Sequence, residues 1–69
     1  MDHGITTEYL RKMAGQAKTK DELNQHSQRV DRVFDAAYRH GLITIVEFKR
    51  LYRVWIDVQS AKYMELDHA

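Results

Sequence analysis

Two aspartates in the middle of the chain have the spacing of a paired-carboxylate site. Asp31 and Asp35 stand four residues apart, which places them on one face of a helix. A catalytic pair needs a pocket that drives the two pKa values apart. Arg39 follows Asp35 by four residues and can form an ion pair with it. We therefore expect a solvated helix face here.

A histidine lies within an otherwise apolar stripe of the same segment. His26 could act as a pH switch or as a metal ligand. No second His or Cys stands beside it at the spacing of a metal site. We expect a half-buried ring that is hydrogen-bonded to a neighbour. Ser27 and Ser60 lack the context of a nucleophile, and no glycine-rich phosphate loop is present. The sequence thus predicts no enzymatic activity, no cofactor and no metal.

The third group is aromatic and suits binding better than catalysis. Tyr52, Trp55 and Tyr63 offer large contact areas at low entropic cost, with polar atoms for the rim of an interface. The alternative for Trp55 is that it fills the protein core. The predicted partner-binding residues are Arg50, Tyr52, Arg53, Trp55, Ile56 and Tyr63.

The elements that carry these residues are marked by a repeated Thr-x-x-Glu pattern. Thr19 with Glu22, and Thr44 with Glu47, predict two helix starts with capping boxes. Gly41 predicts the intervening helix end. With Thr6 or Thr7 capping a first helix, we expect helices over about 7–17, 20–40 and 45–65. The fold class is an all-α, three-helix protein dominated by an antiparallel helical hairpin.

The apolar stripes of the two long helices differ in width. The stripe of the second helix, which includes Val33 and Tyr38, covers roughly 140° of its circumference. That of the third covers roughly 200°, more than one neighbouring helix can bury. The third helix must either lie in the groove between the other two or meet another chain. We expect a homodimer.

The length, composition and net charge of the chain restrict the class of protein further. The 69 residues allow one domain, 1–69, and we expect 1–5 and 67–69 to be frayed. The chain has no Cys, so no disulfide supports it, and no Pro, which permits long helices. The 11 basic and 10 acidic residues give a net charge of +1 and no bulk attraction to nucleic acid or membrane. The sequence shows no signal-peptide pattern and no long apolar run, so we expect a cytoplasmic protein with no membrane contact.

Residues 17–56 resemble a helical hairpin of small phage and prophage proteins and of the tails of phage recombination proteins. The resemblance implies an accessory protein of a mobile element. It is carried by Ala17, Thr19, Glu22, Leu23, Ala37, Gly41, Leu42, Glu47, Phe48 and Leu51.

Three other short sequence segments resemble the Hha family of small helical nucleoid regulators. They are Thr7-Glu8-Tyr9-Leu10, the run from Val33 to His40, and Leu51-Tyr52. That resemblance implies modulation of transcription through a DNA-bound protein partner. The chain differs from the family pattern at Gly41, where the family continues a charged helix.

Together these features predict a non-catalytic protein–protein interaction module, a phage or mobile-element regulator or inhibitor that binds a host or phage protein. The alternative is a nucleic-acid-associated accessory protein acting in transcription or recombination. It would use the basic hairpin turn formed by Arg39, His40, Lys49, Arg50 and Arg53.

Overall fold

The computed structural model describes residues 4–68 and contains three helices in that range. They are α1 (Thr7–Gly15), α2 (Lys20–Arg39) and α3 (Ile45–Asp67), which confirms the predicted all-α fold. α1 ends two residues earlier than expected, at Gly15, and α3 continues two residues further. None of the described helices is long and apolar enough to cross a membrane.

Two of the residues that the sequence predicts to be frayed make contacts in the structure. Ile5 is buried in the core, and Asp67 closes α3 and forms an ion pair with Lys20 of α2. Both residues are held by contacts with distant parts of the chain, which the local sequence does not reveal. The remainder of the predicted frayed ends, residues 1–3 and 69, lies outside the described residues.

A threonine hydroxyl caps the start of every helix. The side chains of Thr6, Thr19 and Thr44 each accept a hydrogen bond from the backbone N–H three residues later, at 3.0–3.1 Å. Each bond satisfies a donor that the first helical turn leaves free. In the second cap, Glu22 accepts from the N–H of Lys18 at 2.9 Å, one residue before the position that a capping box predicts.

The turn between α2 and α3 is closed by backbone hydrogen bonds. Gly41 has φ of 70°, in the left-handed region, and its N–H bonds to the carbonyl of Tyr38. The N–H of Leu42 bonds to the carbonyl of Ala37 at 2.9 Å. This pair of bonds is the Schellman motif, which ends a helix and reverses the chain. The predicted hairpin and its turn at Gly41 are therefore confirmed.

The core lies where α3 meets both other helices. α3 packs against α1 and against α2, and α1 also touches α2. Trp55 has no exposed surface and sits among the other buried side chains. Its indole Nε1 has no hydrogen-bond partner within the described residues. The core consists of Ile5, Leu10, Ala14, Ala17, Leu23, Val30, Phe34, Ala37, Ile43, Leu51 and Trp55.

The apolar stripe of α2 is narrower in the structure than the sequence predicts. Leu23, Val30 and Phe34 are buried, whereas Val33 and Tyr38 remain 38% and 48% exposed. They lie at the two edges of the stripe, where the neighbouring helices cover them only in part.

Adjacent residues on α3 should respond very differently to truncation. We expect Trp55→Ala to lower the free energy of unfolding by about 3–5 kcal/mol, because it leaves a cavity in the core. Ile56→Ala should cost less than about 1 kcal/mol, since Ile56 is 44% exposed. Chemical denaturation followed by circular dichroism measures both. Equal losses for the two variants would contradict the assignment of Trp55 to the core.

Replacement of two glycines by alanine should change the free energy of unfolding in opposite directions. Gly41→Ala should lower the free energy of unfolding by about 1–2 kcal/mol, because its left-handed backbone strains an L side chain. Gly15→Ala should raise stability by up to about 1 kcal/mol, since this position is helical and a Cβ there meets no atom within 4 Å. Thermal unfolding of the two variants provides the comparison, each serving as the control for the other.

Candidate protein interaction face

One side of the α2–α3 hairpin is covered by α1 and the other side is not. On the covered side, Nδ1 of His26 lies 2.7 Å from the carbonyl oxygen of Met13 in α1. Ala14 of α1 and Val58 of α3 line a shared depression of about 270 Å³. His26 is half-buried and hydrogen-bonded to its neighbour, as expected from the sequence.

We call the uncovered side of the hairpin the seam face. Residues two apart on a helix lie nearly opposite each other, so Asn24 faces away from His26 and away from α1. The same helical spacing assigns the rest of the face. It comprises Asn24, Asp31 and Tyr38 from α2, and Ile45, Tyr52, Ile56 and Tyr63 from α3.

Contacts between the two helices fix their register along this face. The Tyr63 hydroxyl donates a hydrogen bond to the Asn24 side-chain oxygen at one end. Lys20 and Asp67 form an ion pair beyond them. Towards the turn, the ring of Phe34 packs on that of Tyr52, with centroids 5.5 Å apart. The helices therefore run antiparallel with side chains matched over their full length.

Four aromatic rings pack together near the turn. The Phe34 ring meets the Phe48 ring edge to face at 5.3 Å, and Tyr38 meets Phe48 in the same way at 5.7 Å. Phe48 and Tyr52 stack nearly parallel at 5.8 Å. Such pairs add stability beyond the burial of their area, so they hold Tyr38 and Tyr52 in fixed positions on the seam face.

The Tyr52 hydroxyl lies in an environment that opposes its ionisation. Partial burial raises the pKa of Tyr52 above its ordinary value, and the negative charge of Asp31 raises it further. A hydrogen bond from the neutral hydroxyl to the Asp31 carboxylate acts in the same direction. Tyr52 of α3 and Asp31 of α2 thus influence each other in the middle of the seam face.

The structure does not bring all six predicted partner-binding residues together. Trp55 lies wholly in the core and offers no surface to a partner. Tyr52 and Tyr63 are half-buried, while Ile56 and Arg53 are exposed beside them. Arg50 is exposed too, but it lies six residues from Ile56, about 120° around α3 and off the face.

The turn carries exposed apolar residues that the sequence-based prediction did not include. Leu42 is 45% exposed, Ile45 47% and Val46 73%. The signal was present in the sequence, because Ile45 and Val46 are apolar residues that directly follow the Thr44 cap and precede the stripe that begins at Phe48. Ile45 continues the seam face towards Tyr38, so the face extends to the turn.

The acidic residues form no site of their own. Arg39 pairs with Asp35 at 3.1 Å between Nε and Oδ2, which confirms the predicted ion pair on a solvated helix face. Among the described residues, no group of three or more His, Asp or Glu side chains could hold a metal ion. A shallow depression of about 360 Å³ lies at the start of α2, between Lys18, Thr19 and Leu66.

Comparisons of the chain with known protein families, with curated proteins and with solved structures found no match.

The Tyr52–Asp31 pair predicts a specific effect at alkaline pH. Because the folded-state pKa of Tyr52 is raised, its contribution to stability is complete below its ordinary value of 10.0 and is lost as the pH rises above it. Between about pH 9 and 11, we expect the free energy of unfolding to fall less for Tyr52→Phe than for the wild type. Urea denaturation across this range is the measurement, with Tyr38→Phe as the control. Identical alkaline profiles for wild type and Tyr52→Phe would contradict it.

Proposed function

We propose that this protein is a non-catalytic protein–protein interaction module that binds its partner through the seam face. The observation that carries the proposal is the position of Ile56. It is 44% exposed between Tyr52 and Tyr63, at the centre of a face that α1 leaves uncovered. Tyrosine is among the residue types that contribute most to binding energy at interfaces, and Ile56 adds apolar contact area between the two tyrosines.

The face is also preorganised for binding. Tyr52 is held by the rings of Phe34 and Phe48, and Tyr63 by its hydrogen bond to Asn24. Side chains that are already ordered lose little entropy when a partner binds. The surface can therefore use its buried area efficiently despite its small size.

The resemblance of residues 17–56 to phage and prophage hairpins supports a more specific role. We extend the proposal to a cytoplasmic regulator or inhibitor of a mobile element, whose partner is a host or phage protein. A module with two antiparallel helices and one open face suits this role, since it can cover a partner surface without carrying out chemistry.

A second candidate is contact with nucleic acid through the turn. Exposed His40, Lys49 and Arg50 favour it. Leu42 and Val46 interrupt the basic surface, and Asp35 neutralises Arg39, which places this candidate second. Nucleic-acid binding would weaken steeply with salt, because each phosphate contact releases counterions. Titration of duplex DNA at several salt concentrations measures this directly, and undetectable binding at low salt would remove the candidate.

Photo-crosslinking in cells tests the docking surface itself. A photoreactive phenylalanine analogue replaces Ile56 in one variant and Arg29 in the control. Arg29 is exposed but lies two residues from Asp31, on the opposite side of α2. We expect crosslinks to protein from position 56 and few or none from position 29. The bands are read by mass spectrometry after denaturing purification.

The result has two possible readings, each of which decides the proposal. Protein adducts confined to position 56 support the seam face as the docking surface, whether the adduct is another protein or a second copy of the chain. Equal labelling from both positions, or protein adducts from position 29 alone, would show that binding does not use this face.

A further inference from the structure

We propose that the occupant of the seam face is a second copy of this chain, related by a two-fold axis that runs parallel to α2 and α3. The proposal rests on the seam face being the docking surface; the second copy occupies that face reversibly, so a host or phage protein that binds there has to displace it. The proposal follows from the distribution of charge along the two edges of the face.

The two edges of the seam face carry opposite charges. The α2 edge presents the carboxylates of Asp31 and Asp35, both exposed; that of Asp35 is shared with Arg39 of the same helix, so Asp31 carries the larger part of the acidic charge. The α3 edge presents Lys49 and Arg53, also exposed, which precede Ile56 by seven and three residues and so share its side of the helix. Between the edges lie the tyrosines and Ile56.

The charged groups of the two edges lie at matching positions along the long axis of the hairpin. The Phe34 ring packs on both Phe48 and Tyr52, so this part of α2 lies level with residues 48–52 of α3. Asp31 lies one helical turn before Phe34, and Asp35 directly follows Phe34. The acidic pair and the basic pair therefore occupy the same segment of the hairpin, on opposite edges.

The matching heights select one orientation of a two-fold dimer. A rotation of 180° about an axis parallel to the helices leaves the position of every residue along that axis unchanged. It places α2 of one copy opposite α3 of the other. The acidic α2 edge of each copy then lies over the basic α3 edge of the other. An axis perpendicular to the helices within the interface places α3 on α3 and brings the basic edges together, which like-charge repulsion disfavours. The favoured arrangement is a four-helix bundle in which the two hairpins pack face to face and every neighbouring pair of helices is antiparallel.

The size of the face indicates a reversible dimer. The protein measures 39 × 17 × 15 Å, so its broad side projects at most on the order of 660 Å² per protomer, the product of the two larger dimensions, and the seam face is a part of that side. Stable interfaces bury about 800 Å² per partner. An area below this value, flanked by screened surface charges, suits association that depends on concentration and weakens with salt.

Paired charge reversals test both the partner and the axis. One variant carries Asp31→Lys and Asp35→Lys, and the other carries Lys49→Glu and Arg53→Glu. Each should be monomeric alone, because like charges face each other across its dimer. Mixed in equal amounts, the two should form a heterodimer, since both edges become complementary. Sedimentation equilibrium at several concentrations measures association, and circular dichroism checks that each variant is folded.

A second pair of variants keeps the test independent of the charged residues. Ile56→Arg should weaken self-association at least tenfold, because it places a cation in the centre of the interface. Val33→Arg is the matched control, since Val33 is similarly exposed but lies on the opposite side of α2 from Asp31. We expect Val33→Arg to dimerise like wild type.

Three outcomes would overturn the inference. The first is a wild type that stays monomeric at the highest concentration measured. The second is a dimer that Ile56→Arg leaves intact. The third is a pair of charge-reversed variants that remain monomeric when mixed, which would exclude the parallel axis. In each case, photo-crosslinks from position 56 to a different protein would leave the proposed function standing.

Discussion

The structure depends on the burial of one wide apolar surface by two separate helices. The apolar arc of α3 exceeds what a single neighbour can cover, and Trp55 lies fully buried where α3 meets its neighbours. A chain of this size has few other sources of stability, with no cysteine to form a disulfide. The position of α1 is therefore decisive, because it completes the core on one side of the hairpin and leaves the other side open.

Local hydrogen bonds set up this arrangement before any distant contact forms. Threonine caps begin all three helices, and the Schellman turn at Gly41 reverses the chain between the two long ones. A hairpin closed by such a short turn costs little chain entropy. The aromatic pairs of Phe34 with Phe48 and Tyr52 then lock its register. The seam face inherits its order from these features, since its tyrosines are attached to a rigid support.

The open side of the hairpin is the part of the fold on which the proposed function depends. The bundle shields the larger part of its apolar surface, but Ile56, Ile45 and Tyr38 stay partly exposed along one continuous face. Burial of this remainder would offset part of the conformational entropy that folding removes. The proposed association would relieve the same physical deficit that makes a small bundle marginal, and the charges on the two edges would set its orientation.

The sequence by itself determined the helices, their caps and the hairpin, because each depends on hydrogen bonds between residues three to five positions apart. Thr19, Gly41 and Thr44 are readable for that reason. Only the tertiary structure decided between Trp55 and Ile56, which the sequence places side by side as candidates for one surface. Their separation into core and face depends on where α1 packs, and α1 reaches its position through contacts with residues far away in the chain. Helical periodicity can show that an apolar arc is too wide, but it cannot show which part of that arc a distant helix will cover.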